Sequence, residues 1–240
     1  MSRQTLDDTL TCIARLDKAS TLAQIADVVV DVARPFGFSH VLAGIIPVPG
    51  MTAEQQISNV VLHQWPKAWS ERYFTQGYLF DDPTIHRVNT STEPFLWSEL
   101  EPTYRNTPAP TRIMGEAREF KLGCGFTVPM ITLDGQTAGF SLASERAEVP
   151  PKVRRQLQLI AMHAFARALA QNKPAPVNLT SREMDVLQWM AEGKSDWEIG
   201  VILTVSEHFV DKIARQLRDK LNATNRTQSV ATALRHNLIR

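Results

Sequence analysis

Apolar residues follow two different periods along the 240-residue chain. From residue 4 to residue 34 they recur at helical spacing, and one helix is predicted there. FSHVLAGIIPV (38–48) and QISNVVLHQW (56–65) are rich in Val and Ile and read as strands. A helix opens at Pro66, since proline suits a first turn, and Gly77 supplies its stop. GFTVPMIT and TAGFSLAS flank LDGQ, where Asp134-Gly135 suits a tight hairpin, and residues 150–171 return to helix. Helices gathered around an antiparallel sheet, without regular βα alternation, predict an α+β fold in which an α-β-α sandwich occupies residues 1–171.

The stretch NKPAPVN, 172–178, carries two prolines at alternating positions, which remove helix donors and stiffen a linker. Beyond it, residues 179–240 show helical patterns only, and an all-α second domain is predicted. Thr180 to Glu183 and Ser195 to Glu198 each have the form of a capping box, in which a hydroxyl accepts from the third amide while the Glu side chain reaches back. Gly193 closes the first of these helices, and Ser206 caps a third after the short turn Thr204-Val205. In that third helix, 206–221, Val210, Ile213, Leu217 and Leu221 share one apolar stripe. Its other side carries His208, Lys212, Arg215 and Asp219, with Asp211 and Asn222 at the edge. Such a face is either solvated or made for a major groove; the tight turn between two well-capped helices favours the groove.

Composition narrows the class. With 43% hydrophobic and 21% charged residues the chain is globular rather than disordered. No apolar run approaches the roughly 18 residues of a membrane span, so a cytoplasmic protein with no membrane partner is expected. Cys12 and Cys124 could form one bridge, but a small apolar Cys is as often simply core. The net charge of +1 hides a local excess: from Lys212 onward seven cations face the single acid Asp219, a balance of +6.

WSERYFTQGYLFDDP (69–83) holds the candidate chemistry of the first domain. Trp65, Trp69 and Tyr73 stand at i, i+4 and i+8, so three rings share one side of the helix after Pro66. The rings are either packing core or a binding face. Asp82 before Pro83 reads as a helix cap or as an inward carboxylate, which needs a donor to offset its desolvation.

Two resemblances separate these readings. LTSREMDVLQWMAEGKSDWEIGVIL, VSEHFV and KLNATNRTQSVATALR together resemble the C-terminal DNA-binding domain of LuxR-type transcription regulators over roughly 60 residues, with Glu183, Leu187 and Gly193 on characteristic positions. The resemblance implies a tetrahelical helix-turn-helix domain whose recognition helix is 206–221 and whose fourth helix assists dimerisation. The sequence departs from the family's frequent pattern at Phe209, Asp211 and Ile213, so the base sequence of an operator is not carried over. Lys212 and Arg215 are expected to meet bases or phosphates, with Asp211 accepting from a cytosine amine or orienting Arg215, and with His208 and Arg218 completing the DNA-contacting set.

Most of residues 30–170 resembles the acyl-homoserine-lactone-binding domain of the quorum-sensing branch of that family. Trp69, Tyr73, Asp82, Pro83, Trp97 in PFLW and Gly125 before FTVP fall on its signature positions. A phosphorylated receiver domain, the other partner of such helix-turn-helix domains, would need an early acidic cluster and regular βα units, and neither is evident. What the resemblance implies is a non-covalently held acyl-homoserine lactone and no cofactor. Trp69 would donate to the lactone carbonyl, Tyr73 to the amide carbonyl and Ser141 to an acyl carbonyl, directly or through water. Asp82 would accept from the amide N–H, Trp65 and Trp97 would wall the pocket, and Gly125 would allow close packing. An apo domain with an open cavity and an unpaired buried acid would be poorly stable until ligand arrived. The partners implied are the lactone, a palindromic double-stranded operator, a second copy of the chain and, depending on operator position, RNA polymerase. An enzyme acting on the lactone is disfavoured, because Cys124 lies in a predicted strand and the histidines lack metal-ligand spacing.

Overall fold

The structure is a computed structural model that describes residues 3–172, 177–221, 223–236 and 238–239. The two linker prolines, Asn222 and Arg240 lie outside the described residues. The chain divides into two compact units, residues 1–173 and 174–240.

The first unit opens with two helices rather than the single one predicted over 4–34: α1 (Arg3–Lys18) and α2 (Leu22–Ala33). The break is chemical. Thr21 is extended and its hydroxyl accepts from the Gln24 amide at 3.2 Å, while Gln24 Oε1 accepts from the Ser20 amide at 2.8 Å. A second difference falls on 56–65. There α3 (Ala53–Ser58) runs into the segment from a capping box of Thr52 and Gln55, and only Val60–His63 is strand, β2, after β1 (His40–Ile45).

Next come α4 (Lys67–Thr75), α5 (Pro83–Thr90), the short strand β3 (Phe95–Leu96), α6 (Glu101–Tyr104) and α7 (Pro108–Glu119). The hairpin β4 (Cys124–Ile131) and β5 (Thr137–Ser144) follows, then α8 (Pro151–Gln171). The five strands form one antiparallel sheet in the order β2-β1-β5-β4-β3. Strand alternation gives the sheet two apolar faces. Phe126, Val128, Ala138 and Phe140 pack with α1, α2 and α8, whereas Ala143 joins a second cluster built on Trp69, Tyr73, Trp97 and Ile113. The result is an α+β domain with helices on both sides of its sheet. Cys12 is buried and Cys124 half-buried, and both are free thiols. Burial pushes the Cys12 thiol up to about 11. Among the described residues no helix is long and apolar enough to cross a membrane.

The second unit is helical: α9 (Ser181–Ala191), α10 (Asp196–Leu203), α11 (Glu207–Lys220) and α12 (Arg226–Arg235). Both capping boxes form, and the Ser206 hydroxyl accepts from the Phe209 amide at 3.2 Å. Between α10 and α11 the chain turns so tightly that a Cβ on Gly200 would stand 2.8 Å from the Val205 carbonyl oxygen. Val210, Ile213, Leu217 and Leu221 are buried against Val186, Leu187 and Ile199. Glu183 is buried beneath this core, where its carboxylate takes the Lys220 ammonium at 2.8 Å.

Candidate ligand and nucleic-acid sites

In the first unit α4 turns Trp69 and Tyr73 inward, and Trp65 just before it packs edge-on to Tyr73 with ring centroids 5.4 Å apart. Trp69 also meets Phe120 at 5.5 Å. The adjacent acids divide sharply: Asp81 is exposed and Asp82 buried. Asp82 caps α5, as its Oδ1 accepts from the Thr84 amide and the Thr84 hydroxyl, each at 2.7 Å. Its Oδ2 accepts from Tyr73 Oη at 2.7 Å. Both sequence readings of Asp82 therefore hold at once, because the cap points into the protein. Burial raises its pKa above the ordinary 3.8, against the opposing hydrogen bonds from Thr84 and Tyr73. Burial, helped by the charge of Asp82, lifts the Tyr73 phenol well above its usual value.

The expected unpaired acid and open cavity are not found. Tyr73 and Thr84 already serve both carboxylate oxygens, and the cavity beside Tyr73 holds only about 50 Å³. Tyr73 and Ser141 line it, together with Thr84, Thr127, Gln56 and apolar side chains from β1, α4 and α5. Trp97 borders instead a cleft of about 250 Å³, and a Cβ on Gly125 would fall 2.1 Å from its ring. A larger cleft of this unit, about 610 Å³, runs along the exposed side of α5 past His86 and Arg87 and contains none of Trp69, Tyr73 or Asp82. Of those three residues only Tyr73 lines the smaller cavity; Trp69 and Asp82 stand behind it, in ring contact and hydrogen-bond contact with Tyr73.

Thr127 was not singled out by sequence, and it joins two residues that were. Trp97 Nε1 can only donate, and it does so to Thr127 Oγ1 at 2.9 Å. Thr127 Oγ1 lies 2.9 Å from Ser141 Oγ, its partner in the β4–β5 register. Thr127 Oγ1 has a second lone pair besides the one Trp97 uses, so either hydroxyl can donate in this pair, and when Thr127 donates the Ser141 proton is free for another acceptor. Trp65 Nε1 is buried with no partner among the described residues.

On α11 of the second unit His208, Lys212 and Arg215 are exposed, and Asp211 and Arg218 are half-buried. Arg215 Nη2 reaches Asp211 Oδ2 at 2.5 Å and its Nε reaches the other oxygen at 3.3 Å. Lys212 has no acidic partner within salt-bridge distance among the described residues. The local balance of +6 overstates what is free to meet a polyanion, since Lys220 is held by Glu183 and Arg226 by Asp196 and the Lys194 carbonyl.

Comparison with known proteins matches residues 21–168 to the autoinducer binding domain and residues 177–233 to the bacterial regulatory proteins of the luxR family. The chain belongs to the LuxR family. It is a transcriptional regulator of the quorum-sensing branch, not an enzyme, joining an autoinducer-binding domain to a LuxR-type DNA-binding domain. It is 34% identical over 208 residues to the transcriptional activator BjaR1 of Bradyrhizobium diazoefficiens, which covers 85% of this chain and 84% of that one. It is 37% identical over 179 residues to the quorum sensing-dependent regulator RpaR of Rhodopseudomonas palustris, covering 73% of each. Among solved structures the fold matches Escherichia coli SdiA with a TM-score of 0.75 at 22% identity, over 97% of this chain and 98% of that one. In LuxR-family terms the signature residues Trp69, Tyr73 and Asp82 meet in one cluster, whereas Trp97 reaches the cavity only through Thr127 and Ser141.

Proposed function

We propose that this regulator binds an acyl-homoserine lactone in its first unit and, as a cytoplasmic homodimer, a palindromic operator through α11. The observation that carries this is the buried Tyr73–Asp82–Thr84 network ringed by aromatic side chains. A neutral head with amide, lactone and carbonyl groups supplies what the network and its neighbours exchange: an N–H for Asp82 and acceptors for Tyr73, Trp65, Trp69 and Ser141. A cavity of about 50 Å³ does not hold such a molecule. Small-molecule sites measure about 300–1,000 Å³, so binding must part the walls and draw Tyr73 from Asp82 toward the ligand carbonyl. Ligand thereby favours a state different from the one described, which is the requirement for a switch.

At the operator, Lys212 and Arg215 read or grip the groove, His208 and Arg218 flank them, and Asp211 sets the Arg215 guanidinium. Leu234, exposed on α12, offers apolar contact to a second copy. Half-sites then lie about 34 Å apart, one helical turn. RNA polymerase enters according to where the operator lies.

A second reading, regulation by a non-lactone metabolite or without ligand, is favoured by one feature: Asp82 is already fully served from within the chain. Protein expressed with and without hexanoyl-homoserine lactone separates the two, by melting temperature and by operator affinity. A lactone reader gains in both. Unchanged values across a panel of acyl lengths, with some other molecule recovered by extraction and mass spectrometry, would leave the second reading standing.

A further inference from the structure

Gln56 sits on α3, a helix fixed by its capping box, and is 5% exposed. Its Nε2 donates to the Met51 carbonyl at 3.0 Å, which sets the orientation of the amide. The other end, Oε1, is buried and has no partner among the described residues. Gln56 lines the same cavity as Tyr73, Thr84 and Ser141. Elsewhere the wall is largely apolar: Leu42, Ile46, Val60, Phe74, Leu79 and Val88. A side chain whose acceptor is buried and unpaired thus borders an apolar compartment that also touches Tyr73, Thr84 and Ser141.

From this we propose that Gln56 determines ligand specificity by accepting a hydrogen bond from a hydroxyl carried on the acyl part of the lactone. The proposal rests on the acyl-homoserine-lactone reading and adds the chemistry of the tail. Neither a saturated tail nor a ketone on the chain has a donor to give, and either leaves Oε1 desolvated. A hydroxyacyl or hydroxyaryl-acyl tail satisfies it. Discrimination is strong when a site is built to hydrogen-bond a hydroxyl, because the analogue lacking it strands a buried polar group. Gln56 is a specificity residue and has no part in binding the lactone head.

The test uses the full chain and matched probes: hexanoyl-homoserine lactone, its 3-hydroxy and 6-hydroxy derivatives, and 4-hydroxyphenylpropanoyl-homoserine lactone with its phenylpropanoyl counterpart. Dissociation constants come from titration calorimetry. The wild type is expected to favour at least one hydroxylated member over its parent by about tenfold or more. Gln56→Leu is expected to erase that preference while keeping or improving affinity for the parent compounds. Equal affinity within every pair would mean that water serves Oε1, and would overturn the assignment, as would a preference retained in Gln56→Leu. Should that variant not fold, Gln56→Met takes its place, since it too removes the amide acceptor while keeping the length of the side chain, and the same loss of preference is expected. Binding of none of the five probes would overturn this proposal, and failure across the wider panel of acyl lengths would defeat the lactone reading as well. Binding of parents and hydroxylated compounds alike defeats only the role of Gln56.

Discussion

Replacing Asp82 by Asn separates its two roles. Asn caps helices as well as Asp does, and its Oδ1 keeps the bonds from the Thr84 amide and hydroxyl. The new Nδ2 faces Tyr73 Oη, which can accept. The unliganded fold is therefore retained, and a desolvated charge is removed. Because the folded-state pKa of Asp82 is raised, the folded protein holds this proton more tightly than the unfolded chain. Wild-type stability accordingly falls as pH rises above 3.8 through the folded value, and the variant loses that fall. Ligand sees the reverse. An amide N–H now opposes the ligand N–H, so a charge-assisted bond is lost and two donors are stranded, together about 3–5 kcal/mol or at least a hundredfold in affinity. At a lactone concentration of about 100 times the wild-type dissociation constant, wild type gains about 2.7 kcal/mol and the variant about 0.4 at most. For a unit of 173 residues that is a melting shift of about 5–11 °C against about 1–2 °C. Differential scanning fluorimetry with and without lactone reads it directly. A variant that melts at or above the unliganded wild type yet keeps the full ligand shift would show that Asp82 is a helix cap and nothing more.

Gly125→Ala drives a methyl into the Trp97 ring and should cost about 1–3 kcal/mol or more by overpacking, seen as a lowered melting temperature even without ligand. Glu183 is buried, yet the Lys220 ammonium and the Thr180 hydrogen bonds outweigh that burial and hold its carboxyl below the usual range. Its contribution is present above pH 4.5 and disappears as pH falls through the folded value; Glu183→Gln should flatten this acid limb in urea titrations from pH 6 to 3. Lys212→Ala should weaken operator binding and reduce the slope of log affinity against log salt by about 1, and Arg215→Ala should also relax base preference at the contacted pair. Unchanged affinity and slope in both variants would remove α11 from the groove.

Long periodic segments and their punctuation were legible in the sequence. The β4–β5 hairpin, α8 and the capped helices of the second unit all follow from local signals. The break at Ser20-Thr21 was hidden because the same apolar period runs on both sides of it. Residues 53–58 were obscured by the adjoining Val-Ile run, although Thr52 and Gln55 carried a capping-box signal that outweighs it. At the site, the shared face of Trp65, Trp69 and Tyr73 was legible from spacing, whereas the grouping of Asp82 with Trp69 and Tyr73 came from the family resemblance. Thr127 and Gln56 were legible from neither, since Thr127 meets Ser141 only through strand register and Gln56 reaches the cavity only through the fold of α3. That Asp82 is satisfied internally depends on the angle of α5 against α4, which no periodicity encodes.

The pairing of Arg215 with Asp211 bears on how the protein searches a genome. A guanidinium already held in place loses little rotational freedom when it meets a guanine, while the carboxylate beside it repels any phosphate that draws near. With α11 in the groove as proposed, random sequence would be gripped weakly and the correct step almost without adjustment, which would shorten residence on decoys. Asp211→Asn should lengthen dwell times on non-operator duplexes more than on the operator; equal lengthening on both would mean that the pair only steadies its helix.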